Sequence, residues 1–264
     1  MGDIHGQYNL LMQALADKGF SHKKGHTLFC LGDLIDGGTE NDDALALLNE
    51  PWFFSILGNH EHLMLSATEG LTEKTFTDIQ HFLIEEDGIS KTISVLQRTA
   101  NIRTKVDVYD NLTIEQINWI GNGGYWFFDT SISLGYERRM RMITQYINTN
   151  VPIGREVITE DGTIGLLHAE AQTNDWQSLK NNIANMDDVE RIFWSRDKFK
   201  RFKRNTMLAH EFNMKGIDAL LVGHTIIKDE HPFVIQNTVM MGMGAKIGNT
   251  PLVLSSSEVI SLVN

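Results

Sequence analysis

The order of apolar and polar positions divides the chain into short elements of two alternating kinds. From Gly6 to Phe20 the residues Leu10, Leu11, Ala14 and Leu15 fall on one face at helical spacing, and Gly19 closes the segment. Thr27–Leu31 is a short apolar run that passes into Gly32-Asp33, the pattern of a buried strand entering a loop. Thr39 stands where a helix cap is expected, with Asp42 and Asp43 in the first turn and Ala44, Leu45, Leu47 and Leu48 behind it. Trp52–Leu57 is the next strand, stopped by Gly58-Asn59, and a helix from His60 through about Ala67 follows. The stretch from 68 to about 118 mixes helical segments such as Phe76–Glu86 with polar turns and reads as an insertion or cap. Tyr136–Thr149 predicts another helix, Thr163–Leu167 a strand ending at His168, and Ala219–Val222 a strand ending at Gly223-His224. From Pro232 on, short apolar runs separated by Gly and Asn predict meandering strands. Without repeats, low-complexity tracts or Pro- or Ser-rich linkers, the pattern is that of one α/β domain with a strand-rich C-terminal third.

Composition narrows the class. The 264 residues carry 34 Asp+Glu against 23 Lys+Arg, a net charge of −11. So acidic a chain argues against nucleic acid as a partner, because duplex binding needs dense Lys/Arg contacts to phosphate. A single cysteine, Cys30, excludes both a disulfide framework and a cysteine-based zinc cluster, and its place in a buried strand makes it inert. The apolar runs fall far short of the ~20 residues that span a bilayer, and the start shows no basic segment followed by an apolar one. The expectation is a cytoplasmic enzyme-sized domain with no membrane contact; the sequence does not reveal its oligomeric state.

The candidate chemistry lies at the strand ends. Gly2-Asp3-Ile4-His5-Gly6, Gly32-Asp33, Gly58-Asn59-His60-Glu61, His168 and Gly223-His224 each set an acid, amide or imidazole beside a turn. Strand ends of α/β sheets present side chains from a rigid frame into a crevice where ligands bind. Carboxylate, imidazole and amide oxygen suit Mn2+, Fe or Zn2+, and two such ions ~3.5–4 Å apart need a shared carboxylate. Any one of these residues alone is better explained by turn chemistry or a core-edge histidine; the ordered set points to metal.

Gly-Asp-x-His-Gly, then Gly-Asp-x-x-Asp-x-Gly, then Gly-Asn-His-Glu, then two later strand-end histidines resemble the phosphoprotein phosphatase branch of the calcineurin-like metallophosphoesterases. The likeness is closest to the bacteriophage lambda type and its bacterial relatives. Pro51-Trp52-Phe53, Asn122-Gly123-Gly124 with Trp126-Phe127-Phe128, and Trp194-Ser195-Arg196 are similar to that subgroup too, and only about 68–115 lies outside the likeness. The resemblance implies a β-sandwich flanked by helices in four layers (αββα), spanning 1–264 as one domain with the insertion at about 68–118. By position it implies one metal on Asp3, His5 and the bridging Asp33, and a second on Asp33, Asn59, His168 and His224. It implies His60 as the acid that protonates the leaving alcohol, oriented by Asp36, and Arg196 as a phosphate-binding arginine. Two divalent ions, Mn2+ first with Fe or Zn2+ as alternatives, would carry a bridging hydroxide that attacks phosphorus in line. Their charge outweighs the two carboxylates and the hydroxide, so the site can attract a phosphate dianion although the chain as a whole is acidic.

The other six histidines, including His62, read as surface or packing residues. Lys198, Lys200, Arg201, Lys203 and Arg204 read as a solvated helix face, and Arg138, Arg139 and Arg141 as ordinary surface positions. Three departures from the family pattern stand out. Gly37 occupies the arginine position of the second motif, and Leu57 the arginine position before Gly-Asn-His-Glu; both arginines clamp substrate phosphate in the subgroup. The chain also begins one residue before Gly2, so the apolar strand expected to carry the first motif is missing, as after a misassigned start or a truncation. The implied activity is hydrolysis of phosphorylated Ser/Thr side chains, with phosphotyrosine or small phosphoesters as further substrates. Leu57 with His62-Leu63 resembles a sister family of symmetrical dinucleoside polyphosphate hydrolases, the alternative enzyme. A metal-binding interaction protein weakened by the loss of its arginines is the alternative from another class.

Overall fold

The computed structural model describes residues 1–85, 112–129, 135–171, 173–183, 191–229 and 231–264. Much of the expected insertion, 86–111, therefore lies outside the described residues. The chain divides into two units, Met1–Asn59 with Val151–Asn264, and His60–Asn150.

In the first unit, α1 (Tyr8–Asp17) buries Leu11 and Leu15, the face anticipated from their spacing. β1 (Leu28–Cys30), α2 (Asn41–Ala46) and β2 (Phe53–Ser55) follow. Glu40, not Thr39, is the residue preceding α2, and neither caps it with a side chain; the acidic pair Asp42 and Asp43 alone complements the helix start. β3 (Gly154–Ile158), β4 (Thr163–Leu167), β5 (Ala219–Val222), β6 (Phe233–Ile235) and β7 (Thr238–Met240) complete the strands. The helices α7 (Trp176–Asn182), α8 (Asp197–Lys203) and α9 (Ser256–Val263) belong to this unit as well. The described strands form a parallel pair, β1-β2, and a five-stranded mixed sheet in the order β3-β4-β5-β7-β6, with β4, β5 and β7 parallel. Alternation along those three strands explains why both faces of the larger sheet are covered. Ile164, Leu166, Ala219, Leu221 and Val239 point to a core shared with Leu31 and Ile56, beside β1 and β2, and with Val259 of α9. Leu167, Leu220, Val222 and Met240 point to the opposite core, with Trp176 and Leu179 of α7 and with Phe212. Residues 1–4 run beside β1: the Met1 amine donates to Phe29 O at 2.7 Å, Leu31 N to Met1 O at 3.2 Å, and Gly2 N to Leu252 O at 3.1 Å.

The second unit contains α3 (Asn59–Thr68, whose first residue belongs to the first unit), α4 (Glu73–Glu85), α5 (Ile114–Asn122) and α6 (Tyr136–Asn148). Its core is aromatic. Phe76 lies 5.4 Å from Phe128 and 5.9 Å from Phe127, and Trp119 lies 5.2 Å from Phe127, centroid to centroid. Arg139, read from sequence as a surface residue, is fully buried instead: its guanidinium lies 5.1 Å from the Trp126 ring centroid and donates to Trp126 O at 3.2 Å. Thr113 and Gln116 close a reciprocal cap at the start of α5. No described helix is long and apolar enough to cross a membrane.

Candidate metal centre

Topology brings the candidate residues to the same sheet ends. β4 and β5 are parallel neighbours, so His168, directly after β4, and His224, two residues after β5, emerge side by side; Gly223 N donates to His168 O at 2.8 Å. β1 and β2 are likewise parallel, and their exits lead to Asp33 and Asn59. All four residues are buried.

The backbone shows where regular geometry has been given up. Seven non-glycine residues among those described have left-handed φ, and four of them are candidate site residues: His5 (48°), Asp33 (50°), Asp36 (69°) and His224 (55°). Each such conformation costs roughly 1–3 kcal/mol and persists only where surrounding contacts enforce it. Here the contacts are specific: Ile4 N and His5 N both donate to Asp33 O, at 2.9 and 2.8 Å. Asp36 N donates to Asn41 Oδ1 at 2.8 Å.

The side chains converge on one small volume. Asn59 Oδ1 lies 2.8 Å from His168 Nε2 and 2.8 Å from His224 Nδ1. Asp33 Oδ2 lies 3.3 Å from His168 Nε2 and 3.6 Å from His5 Nε2, so one carboxylate oxygen faces both groups of ligands. Each imidazole is oriented from behind by a main-chain carbonyl: His168 Nδ1 by Leu31 O at 2.7 Å, His224 Nε2 by Trp194 O at 3.2 Å, and His5 Nδ1 by Asp36 O at 2.9 Å. Donation to those carbonyls leaves the opposite ring nitrogens facing Asn59 and Asp33, the outer-shell arrangement that prepares imidazoles for metal. Two ligands at right angles ~2.1 Å from a common ion are about 3.0 Å apart, so the 2.8 Å separations around Asn59 and the 3.3 Å between Asp33 and His168 match the edges of a coordination sphere. Lone pairs of four residues aimed at one another are repulsive unless protons or a cation lie between them. The donor set therefore fits a divalent metal.

Protonation follows from the same contacts. Burial opposes charge on His168, but the Asp33 carboxylate, with Asp3 and Leu31 O, outweighs it and raises the pKa to about 9. Burial, with the charges of His168 and Arg196, pushes His224 down to about 3. In the metal-free protein His168 thus carries a proton that a metal must displace. Metal affinity should rise about tenfold per pH unit through neutrality and level off near pH 9. Because the folded pKa lies above the ordinary 6.5, the stabilisation of the metal-free protein from this proton is complete below pH 6.5 and lost as pH rises through about 9. Metal titration and thermal denaturation between pH 6 and 10 measure both effects; a flat affinity profile would contradict them.

The remaining candidates are placed as follows. Asp3 Oδ2 accepts from His224 N at 3.0 Å, and a side chain on Gly223 would collide with Asp3 Oδ1, so glycine there makes room for the carboxylate. Arg196 Nη2 donates to His224 O at 3.2 Å. Asp36 is buried and His60 is the buried second residue of α3, next to Asn59 in the chain. Glu170, missed from sequence, accepts from Ser195 Oγ, Lys198 N and Phe199 N at 2.8–3.0 Å and so anchors the start of α8 directly after Arg196. Beside Arg196 opens a cleft of about 650 Å³, lined by Trp194, Arg191, Lys198, Lys200 and Arg201 together with Glu170, Asp197 and Glu211. Sequence reading marked Lys198, Lys200 and Arg201 only as a solvated face; no motif signals that the turn before α8 rolls them toward Arg196.

Residues 1–228 match the calcineurin-like phosphoesterase family. A serine/threonine-protein phosphatase 2 of Salmonella typhimurium LT2 is 28% identical over 229 residues, covering 86% of this chain and 78% of the relative. A serine/threonine-protein phosphatase 2 of Escherichia coli K12 is 49% identical over a shorter 69 residues, 26% of this chain and 31% of the relative. A serine/threonine-protein phosphatase 1 of Salmonella typhimurium LT2 is 24% identical over 250 residues, 94% of this chain and 86% of the relative. The chain belongs to the calcineurin-like phosphoesterases: it is an α/β hydrolase of phosphoric esters that works with divalent metal ions.

Proposed function

We propose that this phosphoesterase is a two-metal phosphomonoesterase acting on phosphorylated Ser/Thr side chains of proteins. The observation that supports it most is the convergence of Asp33, Asn59, His168 and His224 ligand atoms at 2.8–3.3 Å, with His5 Nε2 3.6 Å from the same Asp33 oxygen. In this reading Asp3, His5 and Asp33 hold one ion, and Asp33, Asn59, His168 and His224 hold the other; Mn2+ suits this oxygen and imidazole set. Bound there, the ions supply Lewis acidity and a water acidified toward neutral pH. Leu31 O and Trp194 O keep the His168 and His224 rings in the tautomers that ligation needs. Arg196, held by His224 O and by the anchored start of α8, takes a phosphate oxygen. His60, with Asp36 to orient it, holds the proton that passes to the departing Ser or Thr oxygen. The basic cleft beside Arg196 gives the polypeptide flanking the phosphorylated residue a place to lie.

Turnover by metal-loaded protein on a phosphoserine peptide, 4-nitrophenyl phosphate and diadenosine tetraphosphate tests the reading. Hydrolysis of the first two is expected. Efficient cleavage of the dinucleotide alone would instead favour the polyphosphate hydrolase that Leu57 suggests. Exchanging Lys200 and Arg201 for Glu should raise KM several-fold for a phosphopeptide with acidic flanks, because exposed charge pairs are worth about 0.2–1 kcal/mol each. The KM for 4-nitrophenyl phosphate, which is too small to reach them, should not change.

A further inference from the structure

The position of the missing arginine at 37 shows what takes its place. Gly37 has a left-handed φ of 132°, and a Cβ built on it would stand 3.2 Å from Lys246 O and 3.3 Å from Lys246 Cα. The backbone of Lys246 thus crowds the space where a side chain at 37 would begin. The segment that brings it there is a single helical turn, Ala245–Ile247, framed by Gly244 and Gly248 in left-handed conformation, and Gln7 Nε2 ties it to the first motif through Ala245 O at 3.3 Å. The half-buried Lys246 side chain lies within electrostatic reach of Asp33, Asp36 and Asp3, and of Arg196, whose like charge it feels. Burial lowers its pKa while the three carboxylates oppose that shift.

We infer that Lys246 is a phosphate-binding residue of this enzyme, replacing with a lysine from the C-terminal turn the cation that Gly37 cannot supply. The inference rests on the metal-dependent phosphoesterase reading given above. Its physical basis is charge. Lys246 and Arg196 both feel the charges of Asp3 and Asp33, so divalent ions that neutralise those carboxylates would leave the two cations less compensated. A phosphate dianion is a ligand that relieves the repulsion between them, with an ammonium and a guanidinium to bind it. The same geometry implies that Gly37→Arg would not restore the family's arginine: it would strain a left-handed position and press on the Lys246 backbone.

The test uses Mn2+-loaded wild type, Lys246→Met and Lys246→Arg. It reads metal content by elemental analysis, affinity for inorganic phosphate by calorimetry, and kcat and KM on 4-nitrophenyl phosphate. Lys246→Met should keep its metal and bind phosphate ~10- to 100-fold more weakly, with KM rising in step and kcat falling less. Lys246→Arg should keep most of the phosphate affinity. Unchanged phosphate affinity in Lys246→Met would overturn the inference, as would equal weakening in both variants accompanied by metal loss, which would make the lysine a structural counter-ion. Wild type that binds no phosphate at millimolar concentration would overturn it too. Wild type that binds phosphate but turns over no phosphomonoester would defeat the functional reading alone, and the calorimetric comparison would still decide the role of Lys246.

Discussion

Asp33→Asn should abolish turnover and empty both metal positions, the largest effect expected of any single substitution in this protein. Asp33 Oδ2 lies 3.6 Å from His5 Nε2 and 3.3 Å from His168 Nε2, so one oxygen stands between the two proposed ligand groups. An amide offers a neutral oxygen in place of an anion and cannot balance two dications. The loss in kcat/KM should be at least about a thousandfold, beyond what removing one hydrogen-bond donor from an oxyanion site costs. A second readout needs no activity. Asp33 is the main group that raises His168 against burial, so in metal-free Asp33→Asn protein the His168 imidazole should be neutral throughout the neutral range. Its NMR titration near pH 9 should disappear, and stability should no longer fall between pH 6.5 and 9. Retention of both metals by Asp33→Asn would show that the ions do not share this residue.

His60→Asn should keep its metals and lose rate according to the leaving group. A general acid contributes ~10²–10⁴-fold when the departing oxygen is a poor leaving group and little when it is a good one. Turnover of a phosphoserine peptide should therefore fall by that factor, while 4-nitrophenyl phosphate, whose phenolate leaves without help, should be cleaved within about tenfold of the wild-type rate. Asp36→Asn should reproduce the pattern more mildly if, as proposed, it orients His60. Equal losses on both substrates would remove His60 from the role of acid.

The elements that the sequence makes legible are those in which local pattern and tertiary environment agree. Thr163–Leu167 and Ala219–Val222 are apolar runs bounded by turn residues, and both are buried parallel strands with those limits. β3 escapes the same reading because Gly154–Ile158 holds Arg155 and Glu156 and lies at a sheet edge, where only one neighbour, β4, covers it. The C-terminal helix α9 was open to a closer reading. Ser255 and Glu258 form a capping box, a signal plain in the residues but masked by the expectation that short apolar runs after Pro232 continue as strands. Arg139 shows the opposite limit: it is buried against the rings of Trp126 and Phe127, partners that no helical spacing reveals.

The candidate site was legible because its candidate ligands sit at strand ends, all but His168 next to a glycine, where a short motif shows both the residue type and the turn. What could not be read is whatever comes from main chain or from distant turns. The carbonyls of Leu31 and Trp194 that orient His168 and His224 have no side-chain signature. Glu170 anchors α8 across 28 residues of sequence, and Lys246 reaches Gly37 from the far end of the chain. Such contributions depend on topology, which one-dimensional spacing does not encode.

In the proposed mechanism two divalent ions share Asp33 in the active enzyme. Metal-stripped protein titrated with Mn2+, with bound metal per chain and turnover of 4-nitrophenyl phosphate followed together, tests it most directly. Binding should saturate at two ions per chain, with activity appearing as the second site fills. Full activity at one ion per chain would contradict the claim.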